Sequence, residues 1–486
     1  MSAAPLATRL PSAGTLAALL AGALVAIALL VPLLRRHADA FPLLAVLALP
    51  FRVPIATDGR TVNLLVPLYL VVGAGTLVHL LPRWLERWRA RARARTTAAP
   101  AGTGEEPTGL TRDAPVSLTR PSSWLSPRGL ELILLAVVGA YVLQASYSGD
   151  RVKALENIAF FYAPFGLLFL ILRDVRWTRA LIARCLAVTV ALAVLFAGVG
   201  FVEYYRKSLF LNPKVVAADQ YANYFRVNSV FFDPSIYGRF LALVTIAVMA
   251  ALLSAGRGRR ELLGGAAVLA WLLAGIVTSF SQSSIAALLL GLAILGAWCW
   301  GVRPAVCLSA GLVVVALAFV LLAPAGLHFG LKGEKGSAAN ATSGRTTLVE
   351  GGLELFAKRP LEGYGSGSFE TEYKRHGVTD AANATSASHT IPVTVAAEQG
   401  LVGLALYAAL LVSAFAVLFG GAGRSPARIA IAACFAALVL HTWTYADFLE
   451  DPFTWTLLAV GVALARAGRA DELASRPAPA PLASSF

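Results

Sequence analysis

TLAALLAGALVAIALLVPLL, residues Thr15–Leu34, holds no charged side chain anywhere along its length. About 20 residues at 1.5 Å per residue cross ~30 Å of hydrocarbon, and a lipid phase offers backbone groups no partners, so the run must be helical. Asn63–Leu81 and Pro304–Leu322 read the same way. The whole chain agrees: 57% of its 486 residues are hydrophobic and 14% are charged, with a mean hydropathy of +0.69. Soluble domains carry about 25% charge. The expected fold is an all-α polytopic membrane protein of about 12–13 transmembrane helices, with spans near 13–34, 40–56, 61–81, 129–147, 153–172, 180–203, 237–255, 262–279, 283–300, 303–322, 395–420, 427–446 and 452–467.

The net charge of +14 does not mark a nucleic-acid binder, because the basic residues stand at the ends of apolar runs and not along one face. Arg35/Arg36, the Arg83–Arg95 run, Arg173/Arg176/Arg179, Arg257/Arg259/Arg260, Arg424/Arg428 and Arg466/Arg469 fall on one side. The positive-inside rule makes that side cytoplasmic. An odd span count puts the N-terminus outside; were 40–56 re-entrant, Arg35 and Arg36 would become exceptions. Cys185, Cys299, Cys307 and Cys434 all lie in apolar segments, which suggests neither disulfides nor a thiolate metal site. The first run lacks a basic start and a small-x-small cleavage site, so it reads as a helix and not a signal peptide.

The organisation follows from these runs: helices 1–3 in 1–88, a disordered basic cytoplasmic linker at 89–126, helices 4–10 in 127–322 with an outer loop at 204–236, a large extracytoplasmic loop at 323–394, helices 11–13 in 395–470, and a disordered tail at 471–486. The two long outer loops are where chemistry is expected. In the second, RTTLVEGGLELFAKRPLEGYGSGSF (345–369) places Leu348, Val349, Gly352, Leu355 and Phe356 at helical spacing, with Arg345 at the start and Pro360 as the stop. Gly363, Gly365 and Gly367 then offer a tight loop able to bring amides close to a ligand. The loop ends at Ser388-His389-Thr390-Ile391-Pro392, where a helix N-terminus favours the neutral imidazole that a general base needs. From the first loop, Arg226 and, one turn into a span, Arg239 approach the same surface. Guanidinium forks bind phosphate oxygens bidentately, so such a group suits a diphosphate.

These residues carry a resemblance. Arg226 with FFDPSIYGRFLAL (231–243), the TSFSQSS turn at 278–284, Arg345 with PLEGYGSGSF, and SHTIPVTVAAEQGLVGL (388–404) resemble the O-antigen ligase and polymerase superfamily, membrane glycosyltransferases of GT-C type. The resemblance implies a polyprenyl (undecaprenyl) diphosphate-linked glycan as donor and a glycan, lipid or protein hydroxyl as acceptor. It implies His389 as the catalytic base, Arg226 and Arg345 as diphosphate-binding residues, Arg239 as a weaker candidate for that role, an active site facing the extracytoplasmic side, and no metal or other cofactor. Thr390 stands where members often have Asn, and Gln282 where they often have Arg. Ligase and polymerase are not separated by the sequence.

Plainer readings exist for each residue. His389 alone is an interfacial helix cap; Arg226 and Arg345 alone are headgroup anchors or ion-pair partners; Arg239 can pair with Asp233. His376 reads as a solvated residue, and Trp443, Tyr445 and Trp455 near His441 as an aromatic belt. Asp447, Glu450 and Asp451 read as a solvated acidic turn, with contact to an acceptor sugar as the other possibility. The competing function is a transporter or flippase of lipid-linked oligosaccharide, which predicts charges and helix breaks at mid-span; here the span centres look almost free of charge.

Overall fold

The computed structural model describes residues 13–57, 60–97, 124–210, 225–254, 256, 258–307, 345–376, 388 and 390–474. The protein is an all-α polytopic membrane protein, and among the described residues nine helices are long and apolar enough to cross a bilayer. Helix α1 (Ala13–Arg36) precedes α2 (Ala40–Ala48). Here the expected span at 40–56 is corrected. Pro50 and Pro54 end the helix, and β1 (Val53–Thr57) pairs antiparallel with β2 (Arg60–Leu64).

The hairpin leads into α3 (Val66–Gly75), which continues through a π-helical turn (Thr76–Leu80) into α4 (Leu81–Thr97). The first residues of the expected disordered linker, 89–97, are therefore helical, as alternating Arg and Ala favour; residues 98–123 lie outside the described residues. Next come α5 (Pro127–Gln144), α6 (Arg151–Asn157), a second π turn (Ile158–Tyr162), α7 (Ala163–Leu172) and α8 (Arg179–Arg206). Then follow α9 (Pro234–Leu252), α10 (Arg259–Ser279) and α11 (Gln282–Trp300). Of the expected span at 303–322, everything from 308 onward lies outside the described residues.

The remainder is α12 (Arg345–Lys358), α13 (Phe369–Arg375), α14 (Ile391–Phe419), α15 (Pro426–Trp443) and α16 (Pro452–Ala474). The expected amphipathic helix after Arg345 is present and stops before Pro360. The expected tail at 471–486 begins helical, through Ala474, and its remainder lies outside the described residues.

One end of the bundle is laced by ion pairs: Arg83–Asp174 at 2.7 Å, Arg173–Glu131 at 2.8 Å and Arg184–Asp39 at 3.0 Å, with Arg466 also on Glu131. Arg83, Arg173 and Arg466 belong to the basic termini that the sequence groups on one side. The core is one continuous apolar cluster built around α9, of whose hydrophobic window 78% is buried. Helices α8, α10, α11 and α15 surround it. A smaller cluster of Leu348, Leu355, Tyr364, Phe369, Tyr373 and Ala397 joins α12 and α13 to the start of α14.

Candidate active site

The segment bearing Arg226 is fixed by a carboxylate inside a span. Glu203, fully buried near the end of α8, accepts the amides of Ser229 at 2.7 Å and Phe210 at 3.0 Å. The Ser229 hydroxyl donates to Phe196 O, and the Val227 amide donates to Thr278 O. Chain 225–229 is thereby pressed onto the end of α10. Arg226 follows from that placement: its Nε donates to Ser279 O at 3.1 Å, and among the described residues its terminal nitrogens have no recorded partner.

Arg239 is placed differently. It is 2% exposed and pairs with the fully buried Asp451 at 2.8 Å, not with Asp233, whose carboxylate caps α9 by accepting the Ser235 amide. The charge is spent inside the protein, so the expectation that Arg239 contacts a diphosphate is corrected: it holds α9 to the turn between α15 and α16. His441 is also internal, with Nε2 3.3 Å from both Ser283 Oγ and Ser284 Oγ in the TSFSQSS turn. Trp455 is buried, donating to Leu449 O, and so is not part of an interfacial belt. These residues bind α9, α11 and α15 into one unit.

Arg345 begins α12, whose middle packs tightly on α14: a Cβ at Gly352 would stand 2.5 Å from Val393 Cγ1. The flanks of His389 are fixed too. Ser388 Oγ donates to Thr390 O at 2.8 Å, and the Ser388 amide donates to Thr394 Oγ1 at 3.1 Å, which closes the first turn of α14. His389 itself, and the Arg345 side chain, lie outside the described residues. The structure thus unites the start of α14 with α12, and places Arg226 on the α10 side; α15 packs against both α14 and α11.

The glycine loop does not wait for a ligand. Gly363, Gly365 and Gly367 have φ of +66°, +92° and +74°, and the loop folds onto a break in α14 at Gly400. Glu398, 6% exposed, accepts the amides of Gly367 at 2.8 Å and Phe369 at 3.0 Å. Its own carbonyl accepts from Gly365 at 2.7 Å. The amides expected to cradle a ligand hold a carboxylate of the same chain. Gly363→Ala should cost about 1–3 kcal/mol for the left-handed backbone, and its Cβ would meet the Glu398 carbonyl carbon at 2.4 Å. The check is a lowered thermal midpoint in detergent.

His376 is not a free solvated residue. Its Nε2 lies 3.4 Å from the Tyr364 hydroxyl and its Nδ1 3.6 Å from the buried Glu372. The acidic turn departs further from expectation. Glu450 Oε1 accepts from Asn157 Nδ2 at 3.2 Å. Burial, reinforced by Asp447, pushes the Glu450 carboxyl up against the opposing charges of Lys153 and Arg52. Sequence reading missed Glu203, Glu398, Asn157 and Glu450 as organising groups. The available signal was an acidic residue within or beside an apolar run. Among the described residues no three His, Cys, Asp or Glu side chains form a group suited to a metal ion.

Residues 266–408 match the family model described as O-antigen ligase. The matched segment holds the TSFSQSS turn, Arg345, the glycine loop and His389, and supports the resemblance to that superfamily. No curated protein matches the chain.

Proposed function

We propose that this chain, with its O-antigen ligase match over residues 266–408, transfers a glycan from a polyprenyl diphosphate to an acceptor hydroxyl on the extracytoplasmic face of the plasma membrane. That match is the observation that carries the reading. It supports a membrane glycosyltransferase of ligase or polymerase type. The donor, the residues and the step below are our proposal.

In the step, the acceptor oxygen attacks the anomeric carbon as its proton passes to His389. The bond from that carbon to the diphosphate oxygen breaks, and the polyprenyl diphosphate leaves with the electron pair. Diphosphate is a good leaving group, and fixed cations at its developing charge lower the barrier further. Arg226 and Arg345 supply those cations in this scheme; Arg226 is held through Nε on Ser279 O, a bond that leaves its terminal nitrogens for the diphosphate. Direct attack inverts the anomeric configuration. Glu398, an ionisable group within a span, is occupied by two loop amides and is thereby committed to structure rather than to carrying an anion across.

Purified protein given polyprenyl-diphosphate glycan and an acceptor should form a new glycosidic bond. Arg226→Ala should raise the donor KM by about 10–100-fold, the loss expected for a charged hydrogen-bond pair worth 1.5–3 kcal/mol. Movement of intact lipid-linked glycan across liposomes with no glycosidic product would overturn the reading in favour of transport.

A further inference from the structure

We infer that Glu450, Asn157 and Gln399, with the ring of Tyr141, form a subsite for a neutral, hydroxyl-rich sugar ring of the glycan substrate. This goes beyond the proposed reaction and rests on it only for the identity of the glycan. The subsite gathers four elements at the outer end of the bundle: α5 supplies Tyr141, α6 supplies Asn157, α14 supplies Gln399, and the turn between α15 and α16 supplies Glu450.

Their connection is direct. Asn157 donates to Glu450 at 3.2 Å, the Gln399 side chain lies beside the Tyr141 hydroxyl, and that hydroxyl feels the charges of both Glu398 and Glu450. The Tyr141 and Tyr162 rings stand 4.7 Å apart between centroids. Asn157 sits at the last position of α6 before the π turn, where the Tyr69 hydroxyl takes up the Phe160 carbonyl at 2.7 Å. Such π turns recur at functional sites.

What points to a ligand is unmet hydrogen bonding. Asn157 and Gln399 are 4% and 2% exposed, yet Asn157 Oδ1 and Gln399 Nε2 have no partner among the described residues. Gln144, one turn beyond Tyr141 on the same helix, has its Oε1 unmet as well. A buried amide atom left unsatisfied carries a desolvation penalty that a ligand's hydrogen bond removes. Acceptor, donor and carboxylate atoms beside an aromatic ring match the hydroxyls and the apolar face of a pyranose. An anionic ligand fits less well. Arg52 and Lys153 lie within electrostatic reach of Glu450, but Glu450, Glu398 and Asp447 offset their charge.

The probe is phosphate-free glycan, released by mild acid from the cell's own lipid-linked pool and titrated by calorimetry into detergent-solubilised full-length protein. Wild type should bind it, and E450Q and N157A should each bind at least tenfold more weakly with thermal midpoints close to wild type. Two variants on different elements guard against one failing to fold. Absence of binding by the wild type, or wild-type affinity in both folded variants, overturns the subsite. If the glycan binds and both variants weaken it while the wild type makes no glycosidic bond from lipid-linked donor, the subsite stands and the transferase reading falls.

Discussion

His389→Ala should lower glycan transfer by about 10²–10⁴-fold, the range a positioned general base contributes. The loss should fall on kcat, because in the proposed step His389 takes only the acceptor proton while Arg226 and Arg345 hold the diphosphate. Folding should survive. The cap that closes α14 runs through Ser388, Thr390 and Thr394, and none of those bonds uses the residue 389 side chain. His389→Asn should be nearly as damaged as alanine, since an amide offers a hydrogen bond but accepts no proton. Imidazole added to the alanine variant should restore part of the rate. A variant that retains more than a tenth of wild-type turnover would remove His389 from the mechanism.

Most of the helical layout was legible because a bilayer leaves a backbone so few options: apolar runs of span length had to be helices, and their basic ends had to gather. The amphipathic helix at 345–358 and its stop at Pro360 were legible for the same local reason. The failures share a different cause. At 40–56 hydropathy outweighed the turn chemistry of Pro50 and Pro54, and the hairpin was missed. The glycine loop was read as a ligand cradle because its partner, Glu398, sits some thirty residues away with no local pattern linking the two. Glu203 and Glu398 carry no motif of their own, although a carboxylate within or beside an apolar run must find donors and so organises whatever chain supplies them. Asp451 looked solvated for want of any sign that Arg239 would reach it across more than two hundred residues.

That last pair sets the second large effect. Asp451→Asn should destabilise the fold by about 3–5 kcal/mol, the cost of stripping one partner from a buried ion pair and leaving the other charge uncompensated. The substitution isolates charge from capping. Asp451 Oδ1 also accepts the Phe453 amide at 2.9 Å as α16 begins, a role that an asparagine oxygen retains. Asp451→Ala loses that cap too and should fall about 1 kcal/mol further. The combination Arg239→Met with Asp451→Leu should recover most of the loss, since apolar replacement of a buried pair is often neutral. Thermal midpoints of the four proteins in detergent read these differences directly. The midpoint of Asp451→Asn matters beyond stability, because Glu450 is its neighbour on the same turn: a loosened turn should weaken glycan binding in parallel. An Asp451→Asn protein as stable as wild type would mean that the Arg239 guanidinium finds water or another anion, and that α9 is tied to the α15–α16 turn by packing alone.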